Sequence, residues 1–212
     1  MLWRLSSPRH YPAGFIEPCL PSVRSKPPSG PEWIHEVKAD GYRLMVRREG
    51  KRVRLFTRRG HDWTHRFGEL VESISSIPRI SSLTIDGEAC VCGSDGLPVF
   101  AMLHSGSYDS AVVLYAFDLL ELNGSDLRAE PLERRKAKLA RLVEKADPSR
   151  LGYTDHAEED GADIFRHACK LGYEGIVSKR RDFGYRSGRC KAWVKVKNPN
   201  SPAMMRVEDG TF

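Results

Sequence analysis

No stretch of the 212-residue sequence is apolar for the roughly 20 residues that a membrane-spanning helix needs. Residues 1–15 also lack the apolar run of a secretory leader, so a cytoplasmic location is expected. The five cysteines are odd in number and contain no CxxC pair, which argues against a disulfide framework or a zinc ribbon. Cys90 and Cys92 share one face of an expected strand, but no further ligands lie near them in sequence, and they read as buried thiols. His61 and His65 have helical spacing without the glutamate that an HExxH zinc site places after its first histidine. There is no GxxxxGK[ST] loop and no GxGxxG after a strand, so neither familiar phosphate-binding loop is present. Any nucleotide must be handled by other residues.

What is present is positive charge in two places. The net charge is +6, yet residues 43–59 alone hold eight basic residues and one acid, as do residues 175–197. Each window carries +7, leaving −8 for the rest of the chain. Clustering of this kind suits a polyanion, either nucleotide phosphates or a nucleic-acid backbone.

The elements are mixed. Residues 1–31 are proline-rich and are expected to be an irregular lead-in, ending in Lys26-Pro-Pro-Ser-Gly-Pro31. Trp33 to Val37 alternates as a strand does, and Tyr42 to Val46, a Glu49-Gly50 turn and Val53 to Leu55 predict a hairpin. The spacing of Phe67, Leu70, Val71 and Ile74 predicts a helix over 65–77, closed by Pro78. Strands are expected at 83–92 and 112–122, the second apolar enough to be central. An amphipathic helix is expected over 132–146, and its Arg134-Arg135-Lys136 cluster reads as a solvated face beside Glu133 and Glu144. Asp160 can cap a helix that runs to Leu171 and stops at Gly172, before strands at 175–179 and 192–197. The fold class is α+β around antiparallel sheets flanked by helices.

One sequence stands apart: Lys38-Ala-Asp-Gly-Tyr-Arg43, a KxDGxR pattern directly after the first strand. It resembles motif I of the covalent nucleotidyltransferases, the DNA ligases, RNA ligases and mRNA capping enzymes. Further motifs follow in order: Thr57-Arg-Arg-Gly60, Asp86-Gly-Glu88, Tyr115-Ala-Phe-Asp118, Glu174-Gly-Ile-Val-Ser-Lys179 and Trp193-Val-Lys-Val-Lys197. The resemblance covers residues 14–198, and Phe15-Ile-Glu-Pro18 with Lys26-Pro-Pro-Ser-Gly30 is most similar to the ligase domains of bacterial end-joining repair.

The resemblance implies the covalent nucleotidyltransferase, ATP-grasp-like fold and an ATP-dependent DNA ligase adenylation domain over residues 32–198. Lys38 is the expected nucleophile, forming lysyl–AMP before AMP passes to a DNA 5′-phosphate. A lysine attacks only as the free amine, so Lys195, Lys197 and a bound Mg²⁺ (or Mn²⁺) are expected to lower its pKa. Glu36 is expected at the adenine, Arg43 and Glu88 at the ribose, Arg58 at the ribose and α-phosphate, and Phe117 stacked on the base. Arg189 is expected at the nucleotide. Glu174, with Glu88, is expected to face the metal. Tyr42 and Trp193 read as packing residues.

Relatives of this kind follow the domain with an OB-fold. Residues 199–212 leave no room for one and are expected to be a tail, with 198–202 a linker. The expected partners are nicked or broken double-stranded DNA and an OB-fold or end-joining protein acting in trans. Two competing readings are a nucleotide- and DNA-binding accessory module without sealing activity, and an RNA ligase or capping enzyme.

Overall fold

Alternation with period two gives each sheet an outer face that packs against helices and an inner face where charged side chains stand beside a smaller apolar cluster that includes Met45, Phe56, Leu120 and Trp193. The computed structural model describes residues 11–209. The chain runs β1 (Cys19–Val23), β2 (Trp33–Val37), β3 (Tyr42–Glu49), β4 (Arg52–Thr57), α1 (Gly68–Ser76), β5 (Ser82–Cys90) and α2 (Phe100–Ser105). It continues through β6 (Val113–Leu122), β7 (Ser125–Asp126), α3 (Leu132–Val143), β8 (Leu151–Tyr153) and α4 (Gly161–Lys170). The last elements are β9 (Gly175–Arg180), β10 (Gly188–Lys197) and α5 (Pro202–Asp209).

The smaller sheet has the order β1-β10-β9-β2, and the larger has β4-β3-β5-β6-β7 with β8 beside β6. In the smaller sheet Glu36, Val177 and Lys195 lie opposite one another, so they share a face. On the opposite face Ile176, Val194 and Val196 pack with Ala168 of α4. In the larger sheet Arg43 opposes Glu88 and Met45 opposes Asp86. The reverse face presents Leu44, Val46 and Ile85 to Leu70 and Ile74 of α1 and to Leu139 and Leu142 of α3. Each such side chain contributes roughly 1.5–3 kcal/mol by leaving water.

The predicted hairpin is β3–β4, and β6 is central as expected. The helix expected over 65–77 is the shorter α1. The α4 cap is as read: the Asp160 carboxylate accepts from the amides of Ala162 and Asp163. Among the described residues no helix is long and apolar enough to cross a membrane.

Several expectations are corrected. The lead-in is not wholly irregular, because β1 pairs in parallel with β10. Pro21 is tolerated there because β1 is an edge strand, and the register shifts between Pro21 and Ser22. The α+β class with mainly antiparallel sheets stands, and β8 adds a short parallel pairing with β6. Residues 198–202 do not simply trail away: the Asn198 amide donates to Glu174 O at 2.9 Å, and α5 follows. The Arg134-Arg135-Lys136 cluster is only partly solvated. Arg134 is exposed, but Arg135 and Lys136 are buried. Arg135 donates to both oxygens of buried Asp118, at 2.7 and 2.8 Å, because α3 packs directly on β6.

Candidate active site

β2 belongs to the smaller sheet and β3 to the larger, so residues 38–41 are the crossover between them. The crossover therefore does not turn one strand back onto its neighbour; it opens a cleft of about 1670 Å³ between the sheets. Two glycines make the crossing possible. A Cβ on Gly41 would stand 2.2 Å from Ala89 O, and one on Gly175 would stand 2.0 Å from Val196 O. Gly175 also has φ +140°, which side chains rarely adopt. Its carbonyl accepts from the Lys38 amide at 2.9 Å, fixing the start of the crossover.

The Lys38 ammonium is ion-paired with Glu174 Oε2, and Lys197 Nζ lies 3.9 Å from Glu174 Oε1. Burial disfavours the Lys38 charge, but Glu174 and then Glu88 outweigh it, and its pKa is raised. Without nucleotide or metal, the carboxylates thus outweigh the neighbouring cations at Lys38. The depression appears at Lys195 instead, through burial, then Lys197, Lys38 and Arg58. Burial pushes Glu88 up to about 7, against the pull of Lys38 and Arg43. Among the described residues no group of three or more His, Cys, Asp and Glu is placed to hold a metal. The two carboxylates around Lys38 are nonetheless an oxygen donor set of the kind Mg²⁺ takes when phosphates and water complete its shell.

Arg43 is anchored rather than free. Its guanidinium donates to both oxygens of Asp86, at 2.9 and 2.7 Å, and to Cys19 O at 2.7 Å. Tyr185 Oη donates to Asp86 Oδ2 at 2.6 Å and accepts from the Cys19 amide at 2.9 Å. Asp86 thus holds both groups that grip β1. Burial disfavours the Arg43 cation, yet Asp86 raises its pKa.

At the other end, Glu36 is 3% exposed and both its oxygens are engaged. Oε1 takes Lys136 Nζ at 2.6 Å and Oε2 lies 2.5 Å from Lys179 Nζ. Burial pushes the Glu36 carboxyl up, but Lys136 and Lys179 outweigh it and the net shift is downward. The two lysines diverge: burial disfavours both charges, yet Lys136 ends above the usual amine range and Lys179 below it. Lys179 Nζ stands 4.3 Å from the Phe117 ring centre and 4.1 Å from that of Trp193, with Arg43 Cζ 5.3 Å from Phe117.

The cleft brings together all ten residues singled out from the sequence: Glu36, Lys38, Arg43, Arg58, Glu88, Phe117, Glu174, Arg189, Lys195 and Lys197. Arg58, just after β4, and Arg189, on β10, are the exposed ones. Trp193 packs as expected, edge-on to Tyr185 and Phe117, while also lining the cleft. Tyr42 packs edge-on against Trp63 and Phe100. Tyr185 carries no signal in the sequence, Asp86 stands in a motif without a role of its own, and Lys136 reads as part of a solvated face. Much of the basic charge at 43–59 is spent inside the fold, Arg47 on Glu121 and Arg48 on the carbonyls of Ile74 and Ile77.

The chain is similar to known proteins in sequence and in fold. Residues 23–197 match the family model described as the ATP dependent DNA ligase domain. The chain is 40% identical over 186 residues to the multifunctional non-homologous end joining protein LigD of Pseudomonas aeruginosa, covering 86% of this chain and 22% of that one. It is 36% identical over 171 residues to the LigD of Mycobacterium tuberculosis, covering 80% and 22%. The crystal structure of the M. tuberculosis LigD ligase domain superposes with a TM-score of 0.69 at 35% identity, over 78% of this chain and 54% of that one. A mycobacterial DNA ligase D complexed with ATP and MES gives 0.71 at 33%, over 84% and 60%. The chain therefore spans about a fifth of the length of these curated relatives. It belongs to the ATP-dependent DNA ligase domain family.

Proposed function

We propose that this chain is the adenylating domain of a DNA ligase, with ATP as the AMP donor and Lys38 as the residue that carries AMP. The observation that supports this most is the position of Lys38, on the crossover between the sheets, with its Nζ against Glu174 in the cleft. As a free amine, Nζ attacks the α-phosphorus; the N–P bond forms, the bond to the bridging oxygen breaks, and pyrophosphate leaves with the electron pair. The proton that Nζ sheds goes to solvent. AMP then passes to a 5′-phosphate of nicked or broken DNA, and a 3′-hydroxyl displaces it.

Lys195, Lys197 and Arg58 put positive charge where the phosphates would lie. Arg43 and Glu88 stand opposite each other, suited to ribose hydroxyls, and the Phe117 ring offers a face to the base. Glu174 and Glu88 fit a Mg²⁺ or Mn²⁺ ion, which when bound supplies charge to phosphate oxygens and competes with Lys38 for Glu174. The DNA contact would draw on exposed basic residues such as Arg58, Arg59 and Arg189.

The experiment is incubation with labelled ATP and a divalent cation, followed by denaturation. Label that survives denaturation supports the transferase; label lost on denaturation supports a binding module, and preference for GTP or RNA supports the other readings.

A further inference from the structure

Glu36, Lys136 and Lys179 come from three separate elements, β2, α3 and β9, and form a row that is 1–3% exposed. Two cations share one carboxylate, so the row keeps one net positive charge away from water. Such a charge is costly to bury without a use for it. Lys136 is well provided for. Besides Glu36 it donates to Thr154 O at 2.9 Å and stands 4.5 Å from the centre of the Tyr153 ring. Lys179 is not. Its Nζ has Glu36 Oε2 at 2.5 Å as its one polar partner among the described residues, and otherwise faces the rings of Phe117 and Trp193 in the cleft wall.

We propose that Lys136, which lies in none of the nucleotide-binding motifs, is a positioning residue that sets base preference. By occupying Glu36 Oε1 it prevents Glu36 from neutralising Lys179 alone, and so keeps Lys179 as a donor for a purine at Phe117. Adenine presents an acceptor at ring N1, whereas guanine presents an N–H there, which would meet a donor with a donor. Without Lys136 the whole Glu36 charge falls to Lys179, the pair becomes neutral, and the remaining donor capacity of Lys179 is drawn to the freed carboxylate oxygen. The inference rests on the proposed function for one point, that a purine nucleotide enters this cleft.

The test is calorimetric binding of AMP and GMP to the wild-type chain, Lys136→Met and the double variant Glu36→Gln/Lys136→Met, with thermal melts in parallel. The wild type is expected to favour AMP by roughly tenfold or more, the scale of one hydrogen bond to a charged group. Lys136→Met is expected to lose most of that preference. The double variant, in which Lys179 again lacks a counter-ion, is expected to regain it, which a merely structural role for Lys136 would not produce. A Lys136→Met protein with the wild-type ratio overturns the inference, as does a folded double variant that fails to recover. If Lys136→Met does not fold, the double variant decides, because its row again carries a single positive charge. Binding needs no covalent step, so absence of lysyl–AMP would sink the proposed function and leave this result standing. Labelled Lys38 with unchanged ratios would sink this inference alone, and a wild type that binds neither nucleotide, or both equally, overturns it outright.

Discussion

Arg43 of β3 and Asp86 of β5 are diagonal neighbours on one face of the sheet, two residues out of register, and share two hydrogen bonds, at 2.9 and 2.7 Å, with Asp86 fully buried. Asp86 therefore decides where the Arg43 guanidinium sits in the cleft. Asp86→Asn keeps the shape and removes the charge. It is expected to cost about 3–5 kcal/mol of stability, since a buried cation loses its counter-ion. It is also expected to weaken nucleotide binding at temperatures where the variant is folded. Wild-type affinity in a folded Asp86→Asn protein, measured by titration, would show that Arg43 does not need its anchor.

The Arg135–Asp118 pair makes the same point behind the cleft wall, next in sequence to Lys136 and Phe117. Both side chains are wholly buried, and Arg135 also donates to Phe183 O at 3.1 Å. Arg135→Met is expected to destabilise by about 3–5 kcal/mol, while Arg135→Met with Asp118→Leu recovers part of the loss by removing the orphaned anion. Urea unfolding of the three proteins checks this; equal stabilities for the single and double variants would contradict it.

Much of this was legible in the sequence, and the failures have physical reasons. KxDGxR marks Lys38 because Gly41 must pass within contact of β5, a local constraint that leaves a local signature. The Asp160 cap and the Glu49-Gly50 turn are local in the same way. Arg135 and Lys136 were misread because their partners lie 17 and 100 residues away, so nothing within a helical turn distinguishes them from a solvated face. β1 was hidden by Pro18 and Pro21, which forbid a central strand but not an edge. The three residues of β8 are too few to show a period.

Stability should fall in acid partly through Glu36. Its folded pKa is below the ordinary value of 4.5, so below that value the unfolded chain takes up a proton that the folded chain refuses. The contribution is therefore complete above about pH 4.5 and is lost as pH falls through the folded pKa. Glu36→Gln is expected to flatten this part of the profile. Denaturant unfolding at stepped pH is the measurement, and an unchanged acid slope would exclude Glu36 as its source.

Gly41→Ala places a methyl group against the Ala89 carbonyl. The expected cost is about 1–3 kcal/mol, and the displaced crossover should slow AMP transfer more than the stability loss explains. Rates measured well below the variant's melting temperature separate the two; a variant that is stable and transfers normally would show that the close approach is not needed.

The central claim is that Lys38 itself becomes attached to AMP. The most direct measurement is intact-mass and peptide mapping after incubation with ATP and a divalent cation, on wild type, Lys38→Ala and Lys38→Arg. One AMP per chain is expected on the peptide that contains Lys38, absent from both variants, since guanidinium stays protonated and alanine has no nucleophile. Adduct on another residue, or wild-type labelling of folded Lys38→Ala, would contradict it.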